Sequence, residues 1–255
     1  MTIPFPENGL GVAVYLEPVD GYYLAAGCAD AQADRRETGF DTAFHGEDYF
    51  FLIVETGTAI RIDGPKGPMP GTYRIGVWYD GRPKPVFEQD PFESVPNEFG
   101  LEPAGFSGVE DTGTWKRDDI GFYVSIDQLI TRENTTDTGT QGLALFARYG
   151  YAHDDVNPIK CFWSVGAHYQ GLIDGRDYDV LAFGVGRGLW SPLVGGNGEF
   201  AAKPGDEYAT EMELYYSYIV TPWFVVSPSV QFIFDPDKGH MSDATVIGIR
   251  GQLAF

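Results

Sequence analysis

The chain has 255 residues and carries 17 basic against 37 acidic side chains, a formal net charge of −20 at pH 7. Because a nucleic-acid-binding protein needs a basic surface to neutralise phosphates, this balance excludes nucleic acid as a partner. Two cysteines are too few for a disulfide scaffold or a four-thiolate zinc site, and no run of 18 apolar residues could form a transmembrane helix. Glycine (33 residues) and aromatic residues (18 Phe, 15 Tyr and 5 Trp) are abundant, which favours strands over helices.

Eleven segments of about ten residues alternate between apolar and polar side chains, the pattern of strands with two different faces. No segment has a convincing helical period, so the sequence predicts an all-β, antiparallel protein. In chain order, the predicted strands are residues 8–17, 21–29, 47–60, 71–81, 120–131, 141–152, 159–170, 178–188, 207–220, 223–234 and 244–255.

The connections between these strands differ in length at the two ends of the sheet. Short turns at one rim and long loops at the other are the layout of an outer-membrane β-barrel. The rim at which the chain ends carries residues 18–20, 61–70, 132–140, 171–177 and 221–222. The opposite rim carries residues 30–46, 82–119, 153–158, 189–206 and 235–243, of which only 153–158 is short.

Three further features favour a transmembrane barrel over a soluble β-sandwich, which would also alternate. The polar faces mix small residues with charged ones, as a water-filled lumen requires. The last strand closes on Phe255, the kind of terminal residue that the outer-membrane assembly machinery recognises. The apolar faces carry aromatic residues near the strand ends, as in the aromatic girdles of such barrels: Tyr149, Tyr151, Trp163, Tyr169, Tyr216, Tyr218 and Trp223.

Alternation assigns nine side chains to the polar faces, where they are candidates to line a channel and contact a substrate. Charges of both signs and aromatic rings suit a neutral polyhydroxylated solute, because they replace the hydrogen bonds it loses to water. Lining an open channel needs no catalytic residue, metal or cofactor, and we predict none. In the alternative, these residues pair with one another and stiffen the wall. The nine are Arg74, Trp78, Asp127, Arg148, His168, Glu211, Glu213, Gln231 and Arg250.

The longest connection, residues 82–119, contains five prolines and nine acidic against four basic residues. Connections of this length without structure of their own usually have a function or are disordered. This one either folds inward and narrows the channel or forms an extracellular surface loop.

Several segments resemble the carbohydrate-selective porin (OprB) family in order and spacing. They include Gly121-Phe122-Tyr123, Phe146-Ala147-Arg148-Tyr149-Gly150, Phe162-Trp163-Ser164-Val165-Gly166 and Val220-Thr221-Pro222-Trp223. The resemblance is specific from about residue 120 to the end, more loosely covers 8–81, and matches the C-terminal half of the family. It implies a barrel of sixteen strands in the bacterial outer membrane, through which sugars such as glucose diffuse passively into the periplasm.

Against this family, the sequence is short and begins without a signal peptide. We therefore expect residues 1–255 to form a single, N-terminally truncated porin domain with eleven or twelve of the sixteen strands, a twelfth being possible within 82–119. The expected partners are monosaccharides or small sugars, outer-membrane lipid, the assembly machinery and a second copy of the chain. A soluble β-sandwich that binds sugars and a structural outer-membrane barrel without transport stay open as alternatives to the porin, and none of the three is an enzyme.

Overall fold

The computed structural model describes residues 10–32, 40, 48–87, 115–133, 141–194, 207–236 and 242–254. Within these ranges, no helix is long and apolar enough to cross a membrane. The strands are β1 (Gly11–Val19), β2 (Tyr22–Asp30), β3 (Phe50–Gly64), β4 (Gly67–Asp80), β5 (Lys84–Pro85), β6 (Trp115–Lys116), β7 (Asp119–Leu129), β8 (Gly142–Ala152), β9 (Ile159–Gln170), β10 (Val180–Trp190), β11 (Tyr208–Thr221), β12 (Phe224–Phe234) and β13 (Ala244–Leu253).

Eleven of these strands form one sheet in which every neighbour is antiparallel and the order follows the chain, β1-β2-β3-β4-β7-β8-β9-β10-β11-β12-β13. The all-β antiparallel prediction is confirmed. The two short strands β5 and β6 pair with each other, so the described part of segment 82–119 adds no twelfth strand to the sheet.

The observed strands follow the predicted ones closely except at the hairpin of β3 and β4. The prediction ended these strands too early and left residues 61–70 as a connection, whereas the ladder continues to the pair Gly64 and Gly67 and leaves a two-residue turn. Gly67 has a φ of 120°, which L side chains rarely adopt, and the main-chain oxygen of Pro68 accepts a hydrogen bond from Arg132 Nη1 at 2.8 Å. A proline-rich and glycine-rich stretch was therefore mistaken for a loop.

The register keeps two faces distinct across the whole sheet. On the apolar face, large side chains are exposed, for example Ile247 at 84% and Ile249 at 76%, and no second sheet covers them within the described ranges. The opposite, polar face carries Arg74, Asp127 and Arg148. A β-sandwich would bury its apolar faces against each other, so the fold is not the soluble sandwich of the alternative interpretation.

The two rims also agree with the prediction. The rim that we call the turn rim carries residues 20–21, 65–66, 130–141, 171–179 and 222–223. The other, called the loop rim, carries residues 31–49, 81–118, 153–158, 191–207 and 235–243.

The outermost strands, β1 and β13, each pair on one side only in the described residues. All nine residues of β1 and nine of the ten in β13 are exposed, unlike those of the strands between them. Because ten antiparallel steps separate these two strands, β1 and β13 run in the same direction. This sheet therefore cannot close on itself with an antiparallel pair.

Candidate functional site

All nine side chains predicted from alternation lie on the polar face, as the register shows. Three of them share one row of directly paired residues that crosses six strands, from β7 to β12. Strands are about 4.8 Å apart, so this row covers roughly 24 Å of the wall. In order, the row is Asp127, Phe146, Gly166, Gly184, Glu213 and Gln231.

At one end of this row, an aspartate lies between two arginines. Arg148 Nη2 donates to both carboxylate oxygens of Asp127, at 2.7 and 3.0 Å, and Arg74 Nη2 lies 3.7 Å from Asp127 Oδ2. Arg148 Nη1 also donates to the main-chain oxygens of Ile126 and Ala147, at 2.7 and 3.0 Å. The interpretation that these residues pair with one another therefore holds here, yet about a third of each paired side chain stays exposed.

Next along the row, Phe146 extends over two glycines. A Cβ atom at Gly166 would lie 2.4 Å from Phe146 Cζ, and one at Gly184 would lie 3.2 Å from the same atom. Phe162 covers Gly186 in the same way, at 3.2 Å. These glycines let aromatic rings lie across neighbouring strands, so the glycine run in β10 provides room for aromatic side chains on the polar face.

The far end of the row has few internal contacts. Gln231 Nε2 donates to Glu213 Oε1 at 3.1 Å. Glu211 lies opposite Gly186, and Arg250 lies opposite Ser227. Within the described ranges, no ion pair involves Glu211, Glu213 or Arg250, so these groups can bond to water or a solute.

Two of the nine predicted residues differ from the rest. Trp78 faces the same side but is only 1% exposed, because it packs against Phe51 with ring centroids 6.1 Å apart and lies under the Lys84 ammonium, 5.9 Å from the ring. It belongs to the interior of the wall. His168 lies between Ala144 and Ala182, two small residues of the neighbouring strands.

Sequence reasoning missed one central residue, Glu55 of β3. Its two carboxylate oxygens accept hydrogen bonds from the hydroxyls of Tyr23 and Tyr123. Tyr123 reaches Glu55 across β4 at Gly76, where a Cβ atom would lie 2.4 Å from the tyrosine ring. Alternation along β3 could have shown that Glu55 lies on the polar face. The contact with Tyr123 could not be found in this way, because the glycine that makes it possible lies on another strand.

The base of segment 82–119 is fixed at the loop rim by buried charges. Lys84 Nζ lies 2.5 Å from Asp119 Oδ2 and 3.0 Å from Asp80 Oδ2, and Asn157 Nδ2 donates to Asp119 at 3.0 Å. Asp80 and Asp119 are a direct pair on the polar-face parity of β4 and β7. Both ends of the segment therefore start from the polar side of the wall.

The same base is attached to the short connection 153–158. The Lys116 ammonium pairs with the Asp155 carboxylate, and the main-chain N–H of Phe87 donates to the Asp155 main-chain oxygen at 2.8 Å. These two contacts give the one short connection at the loop rim a structural role. Residues 153–158 support the strand pair β5 and β6.

The remaining sequence features are placed as follows. Cys28 and Cys161 are free thiols on the apolar parity of β2 and β9. Phe255, the predicted assembly signal, lies outside the described residues.

The sequence matches the family described as "Carbohydrate-selective porin, OprB family" over residues 2–255. Porin B of Pseudomonas aeruginosa is 24% identical over 250 residues, which cover 92% of this chain and 52% of Porin B. A high-pH structure of Pseudomonas putida OprB has a TM-score of 0.73 at 23% identity, over 96% of this chain and 58% of that one. A low-pH structure of the same protein has a TM-score of 0.58 at 20% identity, over 96% and 55%. The chain thus spans about half the length of the relatives it matches.

Proposed function

The chain belongs to the carbohydrate-selective porin (OprB) family, and on that premise we propose that it forms part of an outer-membrane channel through which small sugars, glucose among them, diffuse passively into the periplasm. Passive diffusion requires no bond to be made or broken. The proposed activity therefore involves no catalytic residue, cofactor or metal, and its partners are monosaccharides or small sugars and outer-membrane lipid.

The observation that carries this proposal is the difference between the two faces of one sheet. Hydrocarbon cannot satisfy polar groups, so a membrane-spanning wall must show apolar side chains to lipid and polar ones to water. The exposed isoleucines Ile247 and Ile249 meet the first requirement. The row from Asp127 to Gln231 meets the second.

The polar face has the chemistry that a neutral polyhydroxylated solute needs. Around Asp127, a net positive cluster offers donors, whereas Glu211 and Glu213 offer acceptors. Phe146, between these two groups, offers a ring on which a sugar ring can stack. Of the nine residues predicted from sequence, we propose eight as pore-lining and assign Trp78 to the wall interior. The eight are Arg74, Asp127, Arg148, His168, Glu211, Glu213, Gln231 and Arg250.

We propose that further strands complete this wall into a closed barrel. Because β1 and β13 run in the same direction, an antiparallel closure needs an odd number of additional strands. The sixteen strands that the family resemblance implies leave five beyond these eleven. Five further alternating segments behind a signal peptide in the genomic DNA upstream of Met1 support this proposal, whereas stop codons in every frame contradict it.

We also propose that segment 82–119 folds toward the channel axis, since Lys84, Asp80 and Asp119 fix its base on the polar side. Phe255 stays the proposed signal for the outer-membrane assembly machinery. Its deletion should lower the amount of protein inserted in the outer membrane without changing the amount synthesised.

Conductance in a planar bilayer tests the channel, measured on the chain together with the strands that complete the barrel. We expect open-channel current that glucose or another small sugar reduces in a concentration-dependent way, and entry of sugars into vesicles that carry the protein. Arg148→Gln should weaken the sugar block several-fold, because it removes a charged donor and the cation that lies 5.3 Å from the Phe146 ring. Arg61→Gln, at the turn-rim end of β3, is the charge-matched control and should leave the block unchanged.

Two results separate the alternatives. A chain that stays soluble and monodisperse without detergent would contradict a membrane location. Stable insertion without sugar entry or sugar-blocked current would instead indicate a structural barrel without transport.

A further inference from the structure

Among the residues of the eleven described strands, one basic residue lies on the apolar face of the sheet. Arg187 of β10 is directly opposite Trp163 of β9 and Thr210 of β11. It follows Phe183 and Val185 on the same face, and Phe183 is among the exposed large apolar residues. A basic charge in this position stands out, because large exposed apolar residues occupy much of this face.

Arg187 also differs from most other basic residues of the described ranges in its contacts. Lys84, Arg148 and Arg176 all pair with aspartates. For Arg187, the contact in the described part of the chain is with a ring: its Cζ lies 4.1 Å from the centroid of Tyr208. Its Nε is shielded from solvent and has no hydrogen-bond partner there.

Arg187 lies closer to the loop-rim end of β10 than to its turn-rim end. It precedes Trp190, the loop-rim end of β10, by three residues, or about 10 Å of strand. The cost of placing an arginine on the lipid face falls steeply from the centre of the bilayer to its interface. Trp163 and Tyr208, beside Arg187, are the residue types that occupy this interface.

We propose that Arg187, Thr210, Trp163 and Tyr208 bind the phosphate of a membrane lipid headgroup at the loop rim. The inference rests on the proposed function, since it requires lipid against the apolar face. A guanidinium presents a planar fork of donors that fits phosphate oxygens. The Thr210 hydroxyl and the Trp163 indole add two donors on either side, while Tyr208 holds the cation in place.

A phosphate fits this group better than a carboxylate of another protein. The four side chains offer donors and a ring, and the hydroxyls of Thr210 and Tyr208 are their only acceptors. The exposed apolar residues Val165 and Phe183 lie on the same face nearby, so a ligand that also has acyl chains gains contacts that a soluble anion does not. The ligand class is therefore a phosphorylated lipid.

The test is lipid retention by the purified chain in detergent, measured by native mass spectrometry. The probes are lipid A, phosphatidylglycerol and, as a lipid without phosphate, diacylglycerol. We expect the wild type to retain a phosphorylated lipid and not diacylglycerol, and Arg187→Gln to weaken that retention about tenfold or more, the typical effect of losing a charge-assisted hydrogen-bond pair. Arg187→Lys keeps the charge but loses the planar fork of donors, so its lipid retention should lie between that of the wild type and that of Arg187→Gln.

Arg61→Gln is the matched control and should retain lipid like the wild type. Equal retention by the wild type and Arg187→Gln, in protein that inserts into vesicles, would overturn this inference and leave the channel untouched. Failure of every variant to insert, when the strands that complete the barrel are present, would instead overturn the proposed function. Preference for lipid A over phosphatidylglycerol assigns the loop rim to the outer leaflet, and the opposite preference supports a phospholipid ligand.

Discussion

The polar face has two parts of different construction, the first on β3, β4, β7 and β8 and the second on β11, β12 and β13. In the first part, each charged group bonds to two other side chains: Glu55 to two tyrosines, Asp127 to two arginines and Lys84 to two aspartates. In the second, Glu213 bonds to a glutamine, and serines and glycines fill the neighbouring positions. The first part is cross-linked across strands, whereas the second keeps its hydrogen-bonding groups available.

This difference shows that a residue type in an alternating strand does not by itself define a role. Arg148 and Arg250 both occupy polar-face positions, but one is held by an aspartate and two main-chain oxygens, whereas the other lies opposite Ser227. In the first part, a lost charge leaves a partner uncompensated. In the second, it mainly changes what the channel offers to a solute.

The largest effect should come from Lys84→Met in the first part. The substitution leaves the Asp119 side chain, 2% exposed, without a cation, and leaves Asp80, 3% exposed, with only the Arg82 guanidinium at 3.7 Å. Removing one partner from a buried ion pair costs about 3–5 kcal/mol, so we expect the free energy of unfolding in detergent to fall by that order. Denaturant unfolding monitored by tryptophan fluorescence measures it.

Lys116→Met is the control for this prediction. Lys116 pairs with Asp155 in the same loop base, but about a third of each side chain is exposed, and such pairs contribute about 0–1 kcal/mol. Equal losses in the two variants would show that burial of the Lys84 cluster does not matter.

A smaller difference in stability is expected between alanine substitutions at two glycines, one in each part of the polar face. A Cβ atom at Gly121 would lie 2.3 Å from the Trp78 ring and 2.4 Å from the main-chain oxygen of Tyr151, so Gly121→Ala requires the backbone to move. We expect it to lower stability by about 1–3 kcal/mol. Gly248→Ala meets only the Ser229 hydroxyl at 3.3 Å and should be nearly neutral in the same denaturant unfolding assay. A neutral Gly121→Ala would contradict the close packing assigned to the first part.

Local alternation was enough to predict the eleven strands and the face of each candidate residue, because a period of two residues is visible in the sequence itself. The contacts were not predictable in this way. Glu55 meets Tyr123 only because Gly76, on the strand between them, has no side chain. Trp78 is covered by Lys84, which lies outside the alternating strands, so alternation could not predict this contact.

The smallest effect should appear at the turn rim, away from both parts, where Asp179 is as thoroughly bonded as any group of the first part. It accepts hydrogen bonds from Arg176 Nε at 2.8 Å, from the Tyr216 hydroxyl at 2.7 Å and from the Ile219 N–H at 2.9 Å. Burial raises the pKa of the Asp179 carboxyl, but these hydrogen bonds outweigh burial and hold the pKa below its ordinary value of 3.8.

A depressed pKa stabilises the folded state at every pH above the ordinary value. This stabilisation is lost as the pH falls through the folded-state pKa, because the unfolded carboxyl takes up its proton first. Asp179→Asn should therefore lower the unfolding temperature at neutral pH, and its difference from the wild type should shrink as the pH drops below about 4. Asp174→Asn, an exposed position in the same connection, should show neither effect. If the difference in unfolding temperature between Asp179→Asn and the wild type stayed constant with pH, Asp179 would act through packing rather than charge. The number of hydrogen bonds that a carboxylate accepts would then not explain the acid sensitivity of this wall.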